Sequence, residues 1–331
     1  MKYVSSRRAV SRLASGITAA LVAALAVSVL VVPTAAAQDG PRVVGVRDLS
    51  PTHSVVDVFS PAMNRVISND VLRPRGGGAA PTLYLLNGAL GNEDGVGWIN
   101  NSGAVGFFAD KAVNVVLPIG GRLSFYTDWL ADDALIGRNK WQTYLTAELP
   151  AVMDRHLDST RRNAVAGVSM SGGPALDLAI QAPGLYRAAA SLSGCPASSN
   201  PLAQAAISVM IGGALTNPFA MWGVPGAPGW TQHDPSQNAH RLRGTAVYAA
   251  SASGMPGPVD GIPPGSIFPV GGAAVEAMVN VCTGIFADAV RAAGVPATIS
   301  MRDQGSHSWA LFEDELRDAW FSTIAPALGT R

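Results

Sequence analysis

Apolar residues in this chain gather in short runs bounded by polar and turn-forming residues, and stretches with helical spacing lie between the later runs. The short runs, at 43–49, 54–59, 82–86, 113–118, 164–168, 188–192, 245–250 and 298–301, have the length and composition of strands. Residues 141–157, 172–181, 273–293 and 311–328 instead repeat apolar side chains three and four positions apart, as amphipathic helices do. Strands alternating with helices predict an α/β fold, a mostly parallel central sheet with helices on both faces. The first two runs, split by Pro51, predict an antiparallel start. Residues 196–239 depart from this rhythm: "AAISVMIGGALTNPFAMWG" is apolar but broken by Gly212, Gly213 and Pro218, too interrupted to cross a bilayer. It reads equally as a pair of core helices or as the wall of an acyl-chain groove.

The amino terminus stands apart from that pattern. Lys2, Arg7, Arg8 and Arg12 precede an uncharged apolar run at 17–32, and Ala35, Ala36 and Ala37 offer a small-residue cleavage site. This predicts a secretory signal peptide over 1–37, cut before Gln38, and a single domain over 38–331. An uncleaved anchor is the alternative, for which the run is short. The whole chain is neutral, but beyond Gln38 it holds 19 basic against 23 acidic residues, and no basic stripe points to nucleic acid. Its two cysteines, Cys195 and Cys282, form no CxxC and no His/Cys cluster, so neither a metal nor another cofactor is expected.

The chemistry centres on "NAVAGVSMSGGPALDLAI" (163–180), where Ser169 and Ser171 both approximate a G-x-S-x-G elbow. Such an elbow sets its nucleophile at the end of a strand, with the helix starting at once, and the run at 164–168 delivers Ser169 there. The layout is that of an α/β-hydrolase core, in which acid and histidine follow the serine. Of five histidines, His307 in "DQGSHSW" lies just past the last strand, whereas His233 and His240 come before the run at 245–250. The acid stays open among Asp260, Glu276, Asp288 and Asp303; ordinary loop placement favours Asp260. An oxyanion hole needs the N–H after the nucleophile, Met170, and one from the loop "LLNGALGNEDG", for which Ala89 is the candidate.

With "TLYLLNGALGNEDGVGW", "VVLPIGGRLSFYTDW", "KWQTYLTAELPA", "AVAGVSMSGGPALDLAI", "ASLSG", "MWG" with "HDP" downstream, and "GSHSW" in this order, the chain resembles the antigen 85 family, the secreted mycolyltransferases of mycolic-acid bacteria. The resemblance implies an α/β-hydrolase fold without a large cap domain, with Ser169 as nucleophile, Glu276 as acid, His307 as base and oxyanion donors at Ala89 and Met170. It further implies transfer of a mycolyl group from trehalose monomycolate, through an acyl-enzyme, to a second trehalose monomycolate or to arabinogalactan. The partners implied are thus trehalose mycolates, related glycolipids and cell-wall polysaccharide, at the cell envelope. A carboxylesterase using water, and a family member that only binds carbohydrate or matrix protein, are the alternatives.

The chain also departs from its family. The family's D-G-L-R loop holds trehalose through its aspartate and arginine, and Asn87 and Leu90 stand at those positions, leaving Trp309 as a further candidate for the sugar. Cys195 and Cys282 are not standard in the mycobacterial antigens. Cys195 follows "SLSG" and Cys282 lies six residues beyond Glu276, neighbourhoods that converge in this fold, so a disulfide between them is expected in an exported protein.

Overall fold

The computed structural model describes residues 40–261 and 272–330; the expected signal peptide lies outside the described residues. Among the described residues nine strands form one sheet: β1 (Arg42–Ser50), β2 (His53–Ser60), β3 (Arg65–Leu72), β4 (Ala80–Leu86), β5 (Asn114–Pro118), β6 (Ser159–Val168), β7 (Tyr186–Leu192), β8 (Ala246–Ala252) and β9 (Ala297–Arg302). Their order is β1-β2-β3-β5-β4-β6-β7-β8-β9. The pairs from β1 to β5 are antiparallel, and those from β5 across β4 to β9 are parallel.

The parallel strands are buried on both faces, which is why they read as continuous apolar runs. Tyr84, Leu86, Val165 and Ala189 face a layer holding α1 (Leu149–His156), α2 (Gly172–Gln181), α3 (Pro201–Gly213) and α4 (Ala273–Ala292). Leu83, Leu85, Ala164 and Ala190, one residue out of step, face α5 (Trp309–Ala319), Trp98 and Phe108 on the other side. Between β7 and β8 lie α3 and short turns of helix, with no large cap. The expected helices are all present, though 141–157 and 311–328 each pass through a wide π turn, at Tyr144–Glu148 and Trp320–Ile324.

One strand escaped the sequence pattern. In β3, "RVISNDVL", the run Ser68-Asn69-Asp70 looks like a turn, yet Asn69 and Asp70 are buried. Each is satisfied inside the fold: Asn69 Nδ2 donates to Val56 O and Ile67 O, its Oδ1 accepts from the Tyr144 hydroxyl, and Asp70 bonds His53 at 2.8 Å.

Cys195, in the loop after β7, is bonded to Cys282 of α4, 87 residues away in sequence. Closing so long a loop restricts the unfolded chain and contributes about 4–5 kcal/mol in the chain-entropy model. The paired substitution Cys195→Ser with Cys282→Ser is expected to lower the melting temperature clearly and to abolish its sensitivity to reductant. Equal melting of the two proteins under oxidising conditions would refute this.

Candidate active site

The turn from β6 into α2 is built on close approach. Val168 is extended, and Ser169 then takes φ 55°, a left-handed conformation unfavourable for a side chain. A Cβ on Gly167 would sit 2.1 Å from Ser171 O, and one on Gly173 would sit 2.4 Å from Cys195 O, so only glycine lets the helix meet the strands here. Ser171 is fully buried; its Oγ accepts from Val168 N–H at 2.8 Å and lies 3.0 Å from Val168 O. It staples the turn. Ser169 points elsewhere, its Oγ 2.7 Å from His307 Nε2.

His307 Nδ1 lies 2.7 Å from Glu276 Oε2. Glu276 belongs to the first turn of α4, where the helix dipole favours a negative charge, and it is fully buried. Its other oxygen accepts from Ala252 N–H at 2.7 Å and from Ser193 Oγ at 2.9 Å. Asp260, which loop placement favoured as the acid, does different work. Its carboxylate accepts from Ser306 N–H at 3.0 Å, Ser306 Oγ at 2.7 Å and Ser308 Oγ at 2.8 Å, gripping the residues on either side of His307. Asp288 pairs with exposed Arg291, and Asp303 is exposed. His233 is structural: its Nδ1 bonds Asp177 at 2.7 Å and its ring stacks on Trp222.

The loop after β4 passes beside the serine, for a methyl added at Gly88 would lie 3.7 Å from Ser169 Cβ. Gly88 O accepts from Gly91 N–H, so the Ala89 N–H of the same trans peptide faces the opposite way; Ala89 O in turn accepts from Leu123 N–H. Asn87 opens that loop. It is 1% exposed, its Nδ2 donates to Pro118 O at 3.1 Å and its Oδ1 accepts from Trp98 N–H at 3.2 Å. Both polar ends of the amide are used to join loops, so it offers a sugar nothing. Leu90 is 36% exposed, and Trp309 is half-buried, edge-on to Trp98.

An apolar cavity of about 340 Å³ opens beside Ser169, lined by Phe125, Met170, Ile207, Met210, Val275 and Met278. Its walls are α3 and α4. A polar cavity of about 370 Å³, with Arg65, Glu93, Arg122 and Asn139, shares the same connecting segment through Leu123. In that segment Leu123, Phe125 and Tyr126 all have positive φ. Sequence reasoning missed Ser193, which bonds Glu276, and Glu315, which lies on the other side of the Ser193 hydroxyl. A signal existed: Glu315 falls on the buried stripe Leu311, Phe312, Leu316, Ala319 of α5, where a solvated glutamate does not belong.

Residues 60–259 match the family described as putative esterase. The diacylglycerol acyltransferase/mycolyltransferase Ag85A of Mycobacterium leprae (strain TN) is 32% identical over 275 residues, covering 80% of this chain and 80% of the relative. Ag85B of Mycobacterium intracellulare is 31% identical over 319 residues, covering 91% of this chain and 94% of its own. Among solved structures, MPT51 (FbpC1) of Mycobacterium tuberculosis superposes with a TM-score of 0.70 at 28% identity, over 84% of this chain and all of that one. An S-formylglutathione hydrolase from Agrobacterium tumefaciens, 15% identical with a TM-score of 0.59, shares the fold; it covers 87% of this chain and 100% of the other.

Because Asp260 holds the histidine loop while Glu276 holds the imidazole, their amide variants should separate. Asp260→Asn, which cannot accept from all three donors equally, is expected to lower turnover of an ester substrate roughly 10-fold. Glu276→Gln is expected to cost roughly 10²–10⁴-fold. A larger loss in Asp260→Asn than in Glu276→Gln would reverse the two roles.

Proposed function

This chain belongs to the antigen 85 family, and from that premise we propose that it is a secreted serine acyltransferase moving a long acyl group between sugar hydroxyls. The observation that carries this reading is the unbroken chain Ser169 Oγ, His307, Glu276 beside an apolar cavity. His307 Nε2 takes the Ser169 proton as Oγ attacks the ester carbonyl, while Glu276 holds the Nδ1 side and favours the imidazolium that forms. The oxyanion is met by the N–H groups of Ala89 and Met170. Collapse breaks the bond to the leaving alcohol, which recovers the proton from His307, and leaves an acyl-Ser169 ester. An acceptor hydroxyl repeats the steps in reverse. Export by residues 1–37 would bring the enzyme to its glycolipid substrates.

Trehalose monomycolate is the donor that the family suggests, and trehalose monomycolate or arabinogalactan the acceptor. The apolar walls of α3 and α4 suit a lipid chain, and a lipid seated there would keep water from the acyl-enzyme. One observation favours a second reading, a carboxylesterase with the same three residues: Asn87 is tied up inside the protein and Leu90 is apolar, so the 87–90 loop gives a sugar acceptor no polar side chain. Supplying a short acyl ester together with a sugar, and measuring sugar ester against free acid, separates the two.

Ser169→Ala is expected to lose several orders of magnitude in acyl transfer, and a phosphonate probe should label Ser169. Labelling at Ser171 instead would overturn the assignment. Met210→Trp should fill the apolar cavity from α3, lowering kcat/KM for long acyl esters about 10-fold or more relative to acetyl esters. An unchanged chain-length preference would remove the cavity from the reaction.

A further inference from the structure

Ser193 stands between two fully buried carboxyl groups. It follows directly on β7 with φ 44°, and its Oγ lies 2.9 Å from Glu276 Oε1 and 3.1 Å from Glu315 Oε2. A hydroxyl carries one hydrogen and can donate to only one of them. Were both glutamates ionised, one would face a hydroxyl lone pair with no proton between, and two negative charges would share a dry site. The neighbours decide which carboxyl holds the proton. Glu276 also accepts from Ala252 N–H and bonds His307, the surroundings of a carboxylate. Among the described residues Glu315 has no hydrogen-bond partner but Ser193, and its Oε1 is buried without a hydrogen bond.

We propose that Glu315 is held as the neutral acid and donates its O–H to Ser193 Oγ, which commits the serine hydrogen to Glu276 and fixes that carboxylate against His307. Glu315 is thus a positioning residue, acting on the imidazole through two intervening groups. The charged and titratable groups around it fit this state. Arg302, from β9, gives its guanidinium to Asp314; Tyr248, from β8, donates to Asp318 at 2.7 Å; Asp260, from the turn against α5, is used by Ser306 and Ser308. Burial, reinforced by the charge of Glu276, pushes the Glu315 carboxyl well above the usual range, and hydrogen bonding to Ser193 and the charge of Arg302 only partly oppose this. If Glu315 ionised, it would compete for the Ser193 hydrogen and loosen Glu276.

The inference rests on the proposed function for its kinetic consequence alone; the protonation state can be read without any substrate. The infrared difference between the native protein and Glu315→Gln near neutral pH should contain the C=O band of a protonated carboxyl. Its absence would overturn the proposal. The stability readout has a definite sign. A carboxyl neutral in the fold but ionised in the unfolded chain loses stability as pH rises above about 4.5, so the melting advantage of Glu315→Gln should grow between about pH 5 and pH 8. A constant or shrinking difference is the contrary result. In kinetics, Glu315→Gln keeps a donor for Ser193, and the acid limb of its pH–rate profile should stay in place. A limb moved to lower pH would mean that a negative charge near the imidazole had been removed, contrary to the proposal. Glu315→Leu loses the donor, and kcat should fall about 10-fold with KM held. An unchanged kcat there would remove the positioning role.

Discussion

The buried carboxylate of Glu276 is the constraint on which the rest of the site depends. A charge withdrawn from water must be met by donors on several sides, and here each donor comes from a different element. Ala252 closes β8, Ser193 follows β7, and His307 lies in the loop after β9. Neighbouring parallel strands end in register, so their carboxyl ends converge on one point in front of α4. The helix contributes its amino-terminal dipole to the same charge. Removing one donor would therefore leave more than a lost bond: it would leave a charge that the interior cannot solvate.

Several strained residues lie in the segments that build the site. Ser169, Ser193, Leu123, Phe125 and Tyr126 all hold positive φ without being glycine, each unfavourable alone. They persist because neighbours over-determine them. Ser171 bridges Val168 N–H and C=O behind Ser169, and Ser193 is bonded through its N–H to Ala250 O and through its hydroxyl to the glutamates. Leu123 is held by Ala89 O. The same bonds that tolerate the strain aim the side chains, so the reactive geometry exists before any substrate arrives.

The parallel core and the strand-to-helix turn at Ser169 were legible in the sequence because both obey short-range rules. Continuous apolar runs mark strands buried on two faces, and a strand-end serine between small residues marks an elbow. β3 was not legible, since its polar centre depends on β2 and on Tyr144, far along the chain. Which carboxylate meets His307 could not be chosen from pattern, because Asp260 and Glu276 differ in what folds against them rather than in local sequence. Asn87 shows the limit of carrying a motif position across. The position lies in the expected loop, but Pro118 and Trp98 occupy its amide. Sequence order locates a residue; its neighbours decide what its side chain can do.

The disulfide and the apolar cavity join these themes on one helix. α4 carries Glu276 in its first turn, then Met278 and Val279 on the cavity wall, then Cys282 in the bond to Cys195. Cys195 itself lines the cavity and lies where a Cβ on Gly173 would collide with its carbonyl. The covalent bond thus ties the loop after β7 to the helix that carries Glu276, and the cavity wall lies between them. Any chain that spread α3 from α4 would load the same helix that orients His307. Close packing transmits such displacements instead of absorbing them, so the cavity wall and the contact between Glu276 and His307 share one rigid support.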